Sequence, residues 1–238
     1  MAFDNEIEEL RRSAQPRLLV APDPGPVRSA ALLSGSFDPL TVAHAALAER
    51  AAELVDAVVL VYAVDTLPKE GGAAPPLLPV AERLEVLRRY CRPAERRFVG
   101  LASHGLLADQ AEAAAERFPG AELWLVVGSD KVLQLFDPRW YEDREAALDR
   151  LFSRAGVLHA ERERTEGAVP VRDVMDRLEN RRWRDRVRLI DVPPGIAGVS
   201  SRMVRELVRR GEDVAALLPP EARESVARAV RSERERPG

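Results

Sequence analysis

Ala30-Ala31-Leu32-Leu33-Ser34-Gly35-Ser36-Phe37-Asp38-Pro39-Leu40-Thr41-Val42-Ala43-His44 reads as a buried strand, a turn and the opening of a helix. Its first residues are apolar without polar alternation, as a strand covered on both faces requires. Gly35 lets the backbone pass close to a ligand, Pro39 pre-sets the turn, and Thr41 is of a type that caps helices. His44, three residues later, lies one turn in and on the same helical face as Thr41. In an open α/β sheet such a turn sits beyond the carboxyl end of a strand, where backbone N–H groups and a helix N-terminus suit a phosphate.

Outward from this stretch, short β-type apolar runs alternate with longer amphipathic ones. Strands are predicted at 30–34, 57–64, 97–103, 122–127, 156–160 and 186–192. Helices are predicted at 41–54, 79–90, 106–118, 131–136, 142–153, 171–182, 201–210 and 219–231. The alternation predicts an α/β, doubly wound, mostly parallel sheet that ends in C-terminal helices. Residues 1–28 hold one polar helical candidate and the Pro-rich Ala21-Pro22-Asp23-Pro24-Gly25-Pro26, and are expected to form a loosely attached N-terminal arm. The main domain is expected over 29–231, with a frayed, charged tail at 232–238. Between Asp65 and Leu78 the chain carries Gly71-Gly72 and Pro75-Pro76 without periodicity, a long loop of the kind that often carries function.

With 238 residues, 46% hydrophobic and 32% charged, the chain is long enough to bury the core of one α/β domain. A net charge of −3 gives no general field for a nucleic-acid backbone, so an anionic ligand must be held locally and no nucleic-acid partner is expected. The apolar run at 57–64 is far short of a membrane span, and the acidic start Met1-Ala2-Phe3-Asp4-Asn5-Glu6 is unlike a secretory signal. A cytoplasmic location and no membrane partner are therefore expected. Cys91 is the only cysteine, so an intrachain disulfide and a thiolate metal cluster are ruled out, and a small core residue is the plain reading of it. A Walker P-loop, a G-x-S-x-G elbow, a metal-binding histidine pair and a G-x-G-x-x-G fingerprint are all absent from the sequence.

The segment GSFDPLTVAH, Gly35 to His44, resembles the G-x-F-D-P-x-[HT]-x-G-H signature of the HIGH-motif, Rossmann-like nucleotidyltransferase superfamily. A second segment, Val199-Ser200-Ser201-Arg202-Met203-Val204-Arg205, resembles that superfamily's I-S-S-T-x-I-R at the start of a late helix. On physical grounds alone, Ser200 and Ser201 suit a helix cap, and the dipole end of the helix suits a phosphate. Arg205, one turn further, can grip phosphate oxygens bidentately. Taken alone, Arg202, Arg205 and Arg209 also fit an ordinary solvated basic face. Two positions depart from the pattern: Ala43 stands for the usual glycine, and Arg202 for the usual threonine. Thr41 occupies the first histidine position, as in the phosphopantetheine adenylyltransferase branch.

Leu125-Val126-Val127-Gly128-Ser129-Asp130, with Trp140 ten residues further, resembles the Gly-x-Asp strand end and downstream Trp of nicotinamide and nicotinate mononucleotide adenylyltransferases. Asp130 is a candidate acceptor for ribose or adenine hydrogen bonds, or simply a helix cap. Trp140 is a candidate stacking face for a pyridine ring, or ordinary core. Lys69 sits where related enzymes place a lysine that contacts substrate phosphate. His104 and His159 read as structural.

The resemblance implies that an acceptor phosphate oxygen attacks the α-phosphorus of ATP in line and releases pyrophosphate, with Mg²⁺ carried on the triphosphate. It assigns His44 to the α-phosphate and Arg205, with Ser200 and Ser201, to the leaving pyrophosphate. Lys69 is placed on the acceptor, and Trp140 on its base. Gly35, Ser36, Phe37, Thr41, Gly128, Asp130 and Arg202 complete the expected ATP and phosphate contacts. The favoured acceptor is nicotinamide or nicotinate mononucleotide. Phosphopantetheine or another phosphorylated metabolite, CTP as donor, and a nucleotide-binding regulator without turnover stay open as alternatives.

Overall fold

Short apolar runs become strands where both faces are covered, and the amphipathic runs between them become the covering helices. The computed structural model describes residues 3–65, 75–161 and 169–234. In chain order the elements are α1 (Asp4–Arg11), β1 (Leu18–Ala21), β2 (Ser29–Ser34), α2 (Val42–Ala52), β3 (Ala57–Ala63), α3 (Val80–Tyr90), β4 (Arg97–Ala102) and α4 (Leu107–Arg117). They continue with β5 (Glu122–Gly128), α5 (Ser129–Phe136), α6 (Arg144–Arg154), β6 (Ala155–Ala160), α7 (Val171–Met175), β7 (Val187–Leu189), α8 (Pro194–Ala197), α9 (Ser201–Arg209) and α10 (Pro220–Arg234).

The strands form one sheet in the order β1-β4-β3-β2-β5-β6-β7, parallel except for β1. Its six parallel strands follow the doubly wound order in which winding reverses between β2 and β5. Alternate residues of β2 feed opposite cores. Ala31 and Leu33 pack with α1, α2, α3, α9 and α10 on one face, and Ala30 and Leu32 pack with α4, α5, α6 and α7 on the other. Ala43, Ala45, Ala48 and Ala51 make the buried face of α2. The methyl group of Ala43, in the position where the motif has glycine, lies inside this core. No helix among the described residues is long and apolar enough to cross a membrane.

The N-terminal segment differs from the expected loose arm. α1 buries Leu10 in the core, and β1 pairs antiparallel with β4 from Leu18↔Ala102 to Ala21↔Val99. A four-residue apolar run followed by prolines carries no local sign of this, because edge pairing is decided by a strand about 80 residues away. The helix expected at 171–182 stops at Met175 and gives way to a 3₁₀ stretch, Leu178–Arg186. Three-residue turns place Asn180 and Trp183 on one side. There Asn180 Nδ2 donates to Val174 O (2.7 Å), and Trp183 stacks on Phe152 while its Nε1 donates to Asp149 (3.0 Å). The strand expected at 186–192 shortens to the sheet-edge β7. α10 runs to Arg234, so helix takes in residues 232–234 of the expected tail. Residues 66–74 of the expected long loop lie outside the described residues.

Candidate active site at the sheet's switch point

β2 and β5 are neighbouring parallel strands, paired from Ser29↔Glu122 to Leu33↔Val126, so their carboxyl ends open side by side. Gly35 continues β2 by donating its N–H to Val61 O (3.0 Å). A Cβ at Gly35 would meet the Phe37 ring at 3.1 Å, which explains the glycine: the aromatic ring folds back over it. Phe37 itself has a left-handed backbone (φ 46°) and a buried ring that meets the His44 ring edge-on at 5.3 Å. The Phe37 side chain therefore belongs to the core.

His44 is held by the residue that starts its helix. Thr41 is fully buried at the N-cap of α2, and its backbone N–H donates to His44 Nδ1 (3.2 Å), with Thr41 Oγ1 2.8 Å from the same nitrogen. This is a capping box in which histidine takes the place of glutamate. Because Nδ1 accepts a backbone N–H, the neutral imidazole carries its proton on Nε2, which makes Nε2 a hydrogen-bond donor.

The second motif docks directly onto the first. Ser200 Oγ caps α9 by accepting from Met203 N (3.2 Å), and Ser201 Oγ donates to Pro39 O (2.9 Å). Arg205 Nη1 donates to Asp38 O (2.5 Å) and lies 3.5 Å from the Asp38 carboxylate. Arg205 Nε is buried without a partner. The Asp38 carboxylate also accepts the N–H groups of Leu77 (3.1 Å) and Leu78 (2.8 Å) and pairs with Arg83 at 3.7 Å. Arg83 donates from Nε to Leu78 O (2.7 Å) and from Nη1 to Ser36 O (3.4 Å). The result is one carboxylate between two guanidiniums beneath the phosphate-type turn. Asp38 and Arg83 received no role from the sequence. Arg83, however, shares the buried face of α3 with Leu84, Leu87 and Tyr90, and a charge on an apolar stripe is a legible signal.

The β5 end is open by contrast. Gly128 is the N-cap of α5, and Asp130 is exposed in its first turn. Trp140 ends a 3₁₀ turn, Pro138–Trp140, and is 49% exposed, so it is not a core residue. Arg202, on α9, extends into solvent and pairs with Glu206 one turn on (3.4 Å). Lys69 lies outside the described residues. His104 is tied to Ser103 Oγ (2.8 Å), which in turn accepts Arg17 N (2.8 Å), so it belongs to the β1–β4 junction. His159 is buried on β6, and burial pushes its pKa below the ordinary histidine value. Burial likewise pushes the Cys91 thiol up to about 12.

The profile of the cytidylyltransferase-like family matches residues 32–207. A phosphopantetheine adenylyltransferase from Symbiobacterium thermophilum is 30% identical over 190 residues, covering 80% of this chain and 89% of that protein. A probable nicotinate-nucleotide adenylyltransferase from Lachnoclostridium phytofermentans is 23% identical over 205 residues, covering 83% of this chain and 95% of that protein. Among solved structures, the Plasmodium falciparum nicotinic acid mononucleotide adenylyltransferase complexed with NaAD superposes with a TM-score of 0.59 at 15% identity. The match covers 84% of this chain and 95% of that one.

Proposed function

The chain belongs to the cytidylyltransferase-like family, and from that premise we propose that it transfers AMP from ATP to nicotinate or nicotinamide mononucleotide. Membership of the family makes the chain a nucleotidyltransferase. The observation that carries the proposal is the bond from Thr41 N–H to His44 Nδ1, which fixes the ring's orientation beside the β2 end and puts the proton of the neutral imidazole on Nε2.

In this reading an oxygen of the acceptor's phosphate attacks the α-phosphorus. The bond from that phosphorus to the pyrophosphate oxygen breaks, and pyrophosphate leaves with the electron pair. The protein forms no covalent bond in the step; it positions the reactants and meets charge as it develops. His44 Nε2–H donates to an α-phosphate oxygen. Arg205 and the N-terminal N–H groups of α9 take the pyrophosphate end, while the hydroxyls of Ser200 and Ser201 cap and dock the helix. Gly35 and Ser36 line the turn that the triphosphate follows, and Gly128 and Asp130 face the ribose and adenine side. Among the described residues no group of three or more His, Cys, Asp or Glu is placed to hold a metal ion, and the Asp38 carboxylate is engaged by two arginines. Mg²⁺ bound to the triphosphate would supply neutralisation of phosphate charge.

The half-exposed indole of Trp140 supports a pyridine acceptor, because a flat aromatic face at the open side of the site offers stacking to a flat ring. A second acceptor, phosphopantetheine, is favoured by the 30% identity to a phosphopantetheine adenylyltransferase. A competition experiment separates them: with Mg²⁺, ATP and equal amounts of nicotinate mononucleotide and 4′-phosphopantetheine, the expected product by mass spectrometry is the dinucleotide. Dephospho-coenzyme A as the dominant product transfers the assignment to the second acceptor.

A further inference from the structure

We infer that Arg83 and Asp38 are a positioning pair for the nucleotide half of the site, acting through Ser36 and Arg205; the inference rests on the adenylyltransferase reading. Both side chains are more than nine-tenths buried, so neither is presented to a ligand. Each instead holds an element that is. Arg83 donates to Ser36 O in the phosphate-type turn, while Asp38 faces the Arg205 guanidinium with its carboxylate and accepts from it with its backbone carbonyl. Arg83 and Asp38 also share Leu78, whose O accepts from the arginine and whose N–H donates to the aspartate.

Burying a carboxylate with two guanidiniums is a costly way to join two loops, and apolar side chains of similar size stabilise a fold as well. What the charges provide is direction. Two positive groups flanking one negative group leave the cluster with one positive charge under a turn assigned to phosphates. Arg205 Nη1 is held by the Asp38 carbonyl and faces the Asp38 carboxylate, which restricts the direction of the guanidinium's remaining N–H groups. Arg83 thus sets the placement of Asp38, and Asp38 sets that of Arg205.

A double-mutant cycle on ATP affinity tests this, read by calorimetry with Mg²⁺ and without acceptor. Arg83→Lys keeps the charge and loses the fork. It is expected to weaken ATP binding about tenfold in the wild-type background and by a clearly smaller factor, about threefold, in the Arg205→Ala background, where only the route through Ser36 is left. Equal losses in both backgrounds, or unchanged affinity in a folded Arg83→Lys protein, overturn the inference. If Arg83→Lys does not fold, the near-isosteric Asp38→Asn is put through the same cycle with the same expectation. Failure of both to fold makes the pair a folding determinant and overturns it as well. Wild-type protein that binds ATP but releases no pyrophosphate with any acceptor defeats the adenylyltransferase reading, while the cycle still judges the pair. Wild-type protein that does not bind ATP defeats both.

Discussion

The two strand ends that meet at the switch point are built to opposite specifications. At the end of β2 the turn is locked: Phe37, Asp38 and Thr41 are buried, His44 is gripped at Nδ1, and α9 is tied down through Ser201 and Arg205. At the end of β5, Asp130 and Trp140 stand in solvent on a short helix and a 3₁₀ turn. Fixed donors stabilise a transition state without reorganising, whereas an exposed aromatic contributes mainly to binding. The β2 side is therefore expected to govern kcat and the β5 side the KM of the acceptor.

The largest effect is expected at the locked end. His44→Ala removes the Nε2 donor and is expected to lower kcat by about 10²–10³, or 3–4 kcal/mol, while the protein still folds and binds ATP. Steady-state kinetics with a parallel thermal melt check this; near-normal kcat in a folded variant removes His44 from the chemistry.

The openness of the β5 side is confined to its mouth. Beneath it a Cβ on Gly156 would lie 2.3 Å from the Trp124 ring, which Arg188 covers from 4.5 Å. Gly156→Ala is expected to destabilise by about 1–3 kcal/mol, seen as a lower denaturation midpoint. Wild-type stability in that variant means the β5–β6 floor is as loose as the mouth.

Trp140→Ala is expected to raise the acceptor KM about tenfold while leaving the KM for ATP and the melting temperature nearly unchanged. Trp140→Phe is expected to retain part of the affinity. If ATP and acceptor weaken together, the division of labour between the two ends is lost.

The smallest effect concerns His159, on the floor of the open side. Burial lowers its folded-state pKa, so as pH falls the unfolded chain takes up the proton first. Stability contributed by the neutral ring is complete above the unfolded pKa of about 6.5 and declines between that pH and the lower folded value. His159→Leu is expected to flatten this part of the stability–pH curve, measured by denaturant melts; an unchanged slope assigns the acid sensitivity to other groups.

The parallel strands, their helices and both motif segments were legible in the sequence because each is a local signal: an unbroken apolar run, a capping threonine, a pair of serines before a helix. What stayed hidden depends on distant partners. β1 exists by pairing with β4, and the stop of α7 follows from Asn180 and Trp183 turning inward. Within the site, the sequence placed His44 and Arg205 in two motifs. That Asp38 joins them, with Arg83 behind it, is a tertiary contact across 167 positions for Arg205, and only the charge on the apolar face of α3 hinted at it.

The most direct test of the account is pyrophosphate release from Mg²⁺ and ATP, followed with and without nicotinate mononucleotide. The account predicts release that requires the acceptor and matches dinucleotide formation mole for mole. ATP binding with no pyrophosphate release, whichever phosphorylated acceptor is supplied, contradicts it.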